Sequence, residues 1–202
     1  VVRRISIFVE GGGAKDSRDD LRRAFSEFLS RPREIARERG VPWRLVMCGS
    51  REQTFKAFRN WTRDFPDDLV FLLVDAEREV TRAPREHLSM RDPWDLSFAT
   101  DDQCHLMVQV MESWFLADLP ALERFYGQQF GSKQIPARQN VEEVPKAEVE
   151  AALKNSTSKT QKGAYHKIKH GPAILESLDP ERVRARAPHC ERLFVTLEKA
   201  LG

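Results

Sequence analysis

Four acidic side chains stand at or just beyond the ends of apolar runs. Glu10 closes ISIFV (5–9), Asp75 and Glu77 follow LVFLLV (69–74) in the motif LLVDAE, and Glu112 follows LMVQV (106–110) in VQVME. Bare carboxylates brought together repel, so such a cluster implies a cation. An oxygen-only donor set suits Mg²⁺ or Mn²⁺, which take carboxylates and water in octahedral geometry. Gly11, Gly12 and Gly13 come directly after the first acid. A backbone that must approach a metal-bound phosphate has no room for side chains, and glycine also reaches positive φ. The chemistry expected is metal-assisted phosphoryl transfer through an activated water. Any one acid after a strand is more often a helix cap or turn former. The joint pattern of four carries the argument.

These acids need a frame that brings them together. ISIFV reads as a buried strand, followed by a helix capped at Asp16 or Ser17 in which Leu21, Phe25, Phe28 and Leu29 recur at helical spacing as far as Gly40. A second strand is predicted at Trp43–Cys48, a helix near Ser50–Phe65, a third strand at Leu69–Val74 and a fourth at Leu106–Val110. A helix over Glu112–Tyr126 carries Trp114, Phe115, Leu119 and Leu122, with Trp114 and Phe115 read as core. The β-α-β-α-β order with right-handed crossovers predicts an α/β fold, a mostly parallel Rossmann-like sheet with helices on both faces. In such a sheet the carboxyl ends of the strands face one crevice, where Glu10, Asp75, Glu77 and Glu112 would meet. The glycine run is no nucleotide P-loop. That motif needs G-x-x-x-x-G-K-[ST], and in GGGAKDS Lys15 follows alanine and precedes aspartate.

After Gly127 the texture changes. Residues 1–127 are expected to form the α/β core, and 128–202 a basic, mainly helical C-terminal extension packed on it. A helix is predicted from Lys146 to Lys154, then a polar linker NSTSKTQKG, then two short helices. From Ala151 onward there are ten Lys/Arg against five Asp/Glu, although the whole chain carries only +2. A basic segment beside an acidic cluster suits a polyanion; its plainer reading is a solvated face. Within KGAYHKIKHG (162–171), Lys167 and Lys169 are expected to offset charge on a phosphate, with Lys162, Tyr165 and His166 helping to grip the backbone. His166 and His170 have the four-residue spacing of a helical zinc pair but lack a third ligand. Tyr126 and Tyr165, the two tyrosines, lie in no motif for a covalent step, which ranks hydrolysis above strand passage.

With 202 residues, 41% of them hydrophobic, the chain can bury a substantial core. Cys48, Cys104 and Cys190 are odd in number and widely spaced, which suggests neither a disulfide framework nor a cysteine zinc site. No stretch approaches the roughly 18 apolar residues of a membrane span, and the N-terminal residues lack a signal-peptide pattern. A cytoplasmic location is expected.

Strand-Glu-Gly followed by strand-Asp-x-acid resembles the Toprim signature of topoisomerases, primases, small ribonuclease-maturation enzymes and the overcoming-lysogenization-defect nucleases. More closely, FVEGGGA, LLVDAE, HLMVQVMESWFLAD, FYG and KGAYHKIKHG resemble the bacterial Toprim-like family numbered 4276 among domains of unknown function. The resemblance implies a Toprim-type fold and Mg²⁺- or Mn²⁺-dependent phosphodiester hydrolysis on DNA or RNA, in prokaryotic defence settings beside an ATPase partner. Carried over, Glu10 is a metal ligand or general acid/base, Gly11 its close-approach glycine, and Asp75 and Glu77 the metal-binding pair. Glu112 would close the metal site, and Asp118 is a further candidate ligand. The second acid of D-x-D is here Glu77, which keeps the charge and lengthens the arm. The alternative is a non-catalytic Toprim-like module that binds nucleic acid or protein and regulates an ATPase.

Overall fold

The computed structural model describes residues 4–12 and 15–202. Its centre is a four-stranded, fully parallel sheet in the order β2-β1-β3-β4, with β1 Ile5–Val9, β2 Trp43–Met47, β3 Leu69–Asp75 and β4 Cys104–Met107. Side chains alternate across the strands as the pleat requires. Ile5, Ile7, Val9, Phe71 and Leu73 face one core, and Phe8, Val70, Leu72 and Val74 face the other.

Helix α1 (Lys15–Phe28) and helix α2 (Ser30–Glu38) cover the first face with α5 (Ser113–Ala117), α6 (Leu119–Tyr126), α7 (Lys146–Thr157), α8 (Lys167–Ser177) and α10 (Pro188–Leu201). Trp114 is fully buried there, stacked on Phe28 at 5.0 Å, so this tryptophan and Phe115 are core. The second face takes α3 (Arg51–Asp64) and α4 (Pro84–Arg91), through Phe55, Phe58 and Leu88. The fold is therefore α/β and Rossmann-like, with C-terminal helices added on the first face. Short α9 (Pro180–Arg184) joins α8 to α10. No helix among the described residues is long and apolar enough to cross a membrane.

Several expected boundaries are corrected, each for a local reason. The helix expected to run to Gly40 breaks at Leu29, because Pro32 has no N–H to give the Phe28 carbonyl. The helix expected over Glu112–Tyr126 breaks at Asp118: Pro120 cannot donate to Leu116, and Arg186 Nη1 instead donates to the carbonyls of Leu116 (2.9 Å) and Ala117 (3.0 Å). The fourth strand begins two residues earlier than expected, at Cys104, and the chain leaves the sheet after Met107. The predicted linker NSTSKTQKG is not one. Helix α7 runs on to Thr157, whose hydroxyl donates to Leu153 and accepts from the Tyr165 N–H, both at 2.7 Å, and Thr160 is buried beside it. Three helices rather than two short ones follow, and α10 spans 14 residues. Helix α4 had no counterpart in the sequence reading, since PREHLSMR shows little apolar periodicity.

Candidate active site at the carboxyl ends of the strands

The sheet order fixes the site's place. From β1 the chain steps to β2 on one side and later returns to β3 on the other, so the β1–β3 junction is the point where strand order reverses. Ligand sites of open α/β sheets lie at such points. Glu10 leaves β1 here and Asp75 ends β3. A cavity of about 400 Å³ opens over this junction, and Glu10, Asp75, Glu77, Gly11, Gly12, Ser17, Ser50 and Lys167 contribute to its lining.

The loop after β1 is shaped by glycine. Gly11 exchanges backbone hydrogen bonds with Gly49 at 2.9 and 3.0 Å, tying the ends of β1 and β2 together. Gly11 (φ 130°) and Gly12 (φ 77°) hold conformations that side chains disfavour, and a Cβ at Gly12 would stand 2.9 Å from Arg18 Cα. Gly13 lies outside the described residues, as does Ala14.

Every acid of the crevice has a cation of the protein against it. Glu10 Oε2 accepts from Arg51 Nη1 at 3.1 Å and from the Asp75 N–H at 3.3 Å. Burial raises the Glu10 pKa, and Arg51 works against that rise. Asp75 Oδ1 accepts from the Met111 N–H at 2.8 Å, while Oδ2 lies 3.7 Å from Lys167 Nζ. The same ammonium is 3.3 Å from Glu112 Oε1, to which the Tyr165 hydroxyl donates at 3.1 Å. Burial works against the charge on Lys167, but Asp75 and Glu112 outweigh it and raise its pKa. Burial and the Glu112 carboxylate likewise raise the Tyr165 pKa, keeping its phenol protonated as a donor. Glu77 pairs with Lys146 at 2.5 Å and holds a left-handed backbone (φ 67°), its N–H donating to the Gln109 carbonyl.

The structure thus brings Glu10, Asp75, Glu77 and Lys167 to one cavity, with Glu112 and Tyr165 reached through Lys167. It does not bring Asp118. That side chain is 1% exposed, accepts from the N–H groups of Ala121 (3.3 Å) and Asp179 (2.8 Å), and thereby caps α6 and anchors the start of α9. Lys169 is exposed and does not line the cavity, and Lys162 lies 4.9 Å over the Phe125 ring. His166 is the N-cap of α8, its ring accepting from the Lys169 N–H, and His170 is buried against Tyr126; the two do not form a zinc pair. Of the basic C-terminal residues, Arg184, Arg186 and Arg192 are taken up by internal carboxylates and carbonyls.

Two residues escaped the sequence reading. Arg51 follows β2 at its carboxyl end, so the rule that found the acids would have found it had cations been sought too. Lys146 gives no such signal, because only the folded chain carries it to Glu77. Among the described residues no three His, Cys, Asp or Glu side chains stand ready as a ligand set. The donors nonetheless suit a hard divalent ion in kind, all being carboxylate oxygens, and Asp75 and Glu112 already share one cation.

A family described as a domain of unknown function, DUF4276, matches residues 9–198. The chain belongs to the DUF4276 family. No curated protein and no solved structure matches it. The DUF4276 match runs from the last residue of β1 into α10, so the strand-end acids and Lys167 all lie within it.

Proposed function

We propose that this DUF4276 protein is a Toprim-like, metal-dependent phosphodiesterase acting on DNA or RNA. The observation that carries the reading is the Lys167 ammonium in contact with both Asp75 and Glu112, at a cavity that Glu10 and Glu77 also line. Glu10, Asp75, Glu77 and Glu112 are the residues that would hold Mg²⁺ or Mn²⁺, which supplies Lewis-acid polarisation of a phosphate and a water of lowered pKa. The chain's own contribution is positioning. Gly11 and Gly12 let a phosphate approach the backbone, and Lys167, on a mobile four-carbon stem, can turn from the carboxylates to a phosphate oxygen as negative charge grows there. Tyr165 holds Glu112 by its hydroxyl while this happens. A second reading draws on the pairing of each acid with a protein cation, which suits a non-catalytic module that binds nucleic acid or a partner ATPase.

Incubation of the purified protein with single- and double-stranded DNA and RNA, with Mg²⁺ or Mn²⁺, separates the two. Metal-dependent cleavage that Asp75→Ala abolishes, with binding in EDTA nearly unchanged, supports hydrolysis. No cleavage of any of these substrates with either metal, or cleavage persisting in Asp75→Ala, overturns it.

A further inference from the structure

Arg51 begins α3 with its side chain half-buried under the crevice, and four of the five N–H groups of its guanidinium are engaged. Nε and Nη2 donate to both oxygens of Asp92, at 3.0, 3.2 and 2.8 Å, while Nη1 donates to Glu10 Oε2 at 3.1 Å and to the Asp75 main-chain carbonyl. The Trp94 ring lies 5.0 Å from the guanidinium carbon. A planar fork held on one edge by a carboxylate and against an aromatic ring cannot rotate, so it presents Nη1 in one direction. Glu10 Oε2 also accepts the Asp75 N–H at 3.3 Å. Two donors therefore fix that oxygen, whereas Oε1 has no hydrogen-bond partner among the described residues and Glu10 lines the cavity.

We infer that Glu10 acts through one oxygen, Oε1, and that Arg51 is the positioning residue that commits the other, with Asp92 holding Arg51 in place. The inference rests on the reading of the cavity as a divalent-metal site. Glu10 would contribute a single ligand atom and never chelate with both oxygens. Arg51 also ties the backbone at the end of β3 to the side chain at the end of β1, beside the direct bond from the Asp75 N–H to Glu10.

Glu10→Gln separates the two oxygens. Its amide carbonyl can take the place of Oε2 and accept from Arg51 and the Asp75 N–H, which leaves an NH₂ where Oε1 stood. Calorimetric titration of metal-stripped protein with Mn²⁺, without nucleic acid, reads the consequence. For Glu10→Gln we expect a metal-free Tm within about 2 °C of the wild type and a Mn²⁺ affinity at least about tenfold lower. Arg51→Lys, which keeps the charge and loses the fork, should lower Mn²⁺ affinity by about 10- to 100-fold. A metal-free thermal cycle of Glu10→Ala, Arg51→Ala and the double variant should show a smaller loss for the double than the two single losses added. Wild-type Mn²⁺ affinity in Glu10→Gln or in Arg51→Lys, or additive losses in the cycle, overturns the inference and leaves the metal reading standing. A wild type that binds no Mn²⁺ overturns the metal reading and the one-oxygen assignment with it.

Discussion

Lys167 Nζ lies 3.3 Å from Glu112 Oε1, joining the first turn of α8 to the residue that caps α5. Two acids from separate elements, Asp75 at the end of β3 and Glu112 just before α5, share this one ammonium. Their local charge is balanced by the protein itself, so a metal ion entering here competes with a lysine.

Lys167→Ala should for that reason bind Mn²⁺ more tightly than the wild type while cleaving more slowly. Titration of the metal-stripped variant and single-turnover cleavage at saturating Mn²⁺ read the two effects separately. The side chain is 60% exposed but Asp75 and Glu112 are buried, so removing it leaves two buried carboxylates without their counter-charge and should cost about 1–3 kcal/mol of stability. Weaker Mn²⁺ binding in the variant would mean that Lys167 does not compete with the metal.

Asp75 supplies a pH dependence. Burial pushes its carboxyl up to about 7, with Lys167 opposing and Glu112 and Glu10 adding to the rise. In the unfolded chain the same group titrates near ~3.9. The folded state therefore keeps a proton that the unfolded state has lost, and the stability this confers is full below about pH 4 and gone once pH has risen through about 7. Asp75→Asn removes the titration. The Tm of the wild type relative to Asp75→Asn should fall across that window and level off above it, and Mn²⁺ affinity of the wild type should climb over the same range. A Tm difference that is flat with pH would contradict this.

Glu77 separates backbone from side chain. Its left-handed φ of 67° costs a side-chain-bearing residue roughly 1 kcal/mol that glycine avoids. Glu77→Gly should thus be more stable than Glu77→Ala by about that amount in urea unfolding, although both lose the Lys146 pair. Both should be equally impaired in cleavage.

Asp118 should behave as a structural acid. Asp118→Ala deletes the α6 cap and the acceptor of the Asp179 N–H, at a cost of about 1–2 kcal/mol, and should leave Mn²⁺ affinity unchanged. A loss of Mn²⁺ binding without a loss of stability would return it to the metal site.

Much of the frame was legible from apolar runs alone. Ile5–Val9 and Leu69–Asp75 are central strands, covered on both faces, and such strands are written as unbroken hydrophobic sequence. Glu10 and Asp75 could be placed because a strand end is a local fact. Asp118 was misread for the same reason in reverse: its partners, Ala121 and Asp179, are defined by a helix break and by a helix 61 residues away. Among the basic residues of KGAYHKIKHG, nothing in the spelling distinguishes Lys167 from Lys169. The fold decides it: Lys167, the first residue of α8, reaches the carboxylates, while Lys169 is exposed and does not line the cavity.

The packing of α8 on α1 has a consequence for the order of events during synthesis. Glu10, Asp75 and Glu112 emerge from the ribosome well before Lys167 and Tyr165, and a growing chain meets its residues in sequence order. Until residues 165–167 are made and α8 is docked, the buried positions of Asp75 and Glu112 lack their counter-charge and hydroxyl donor. The crevice is therefore completed well after its acids are made. A chain that stops short of α8 carries Asp75 and Glu112 without Lys167 and Tyr165, so the activity proposed for this site can begin only once α8 has docked.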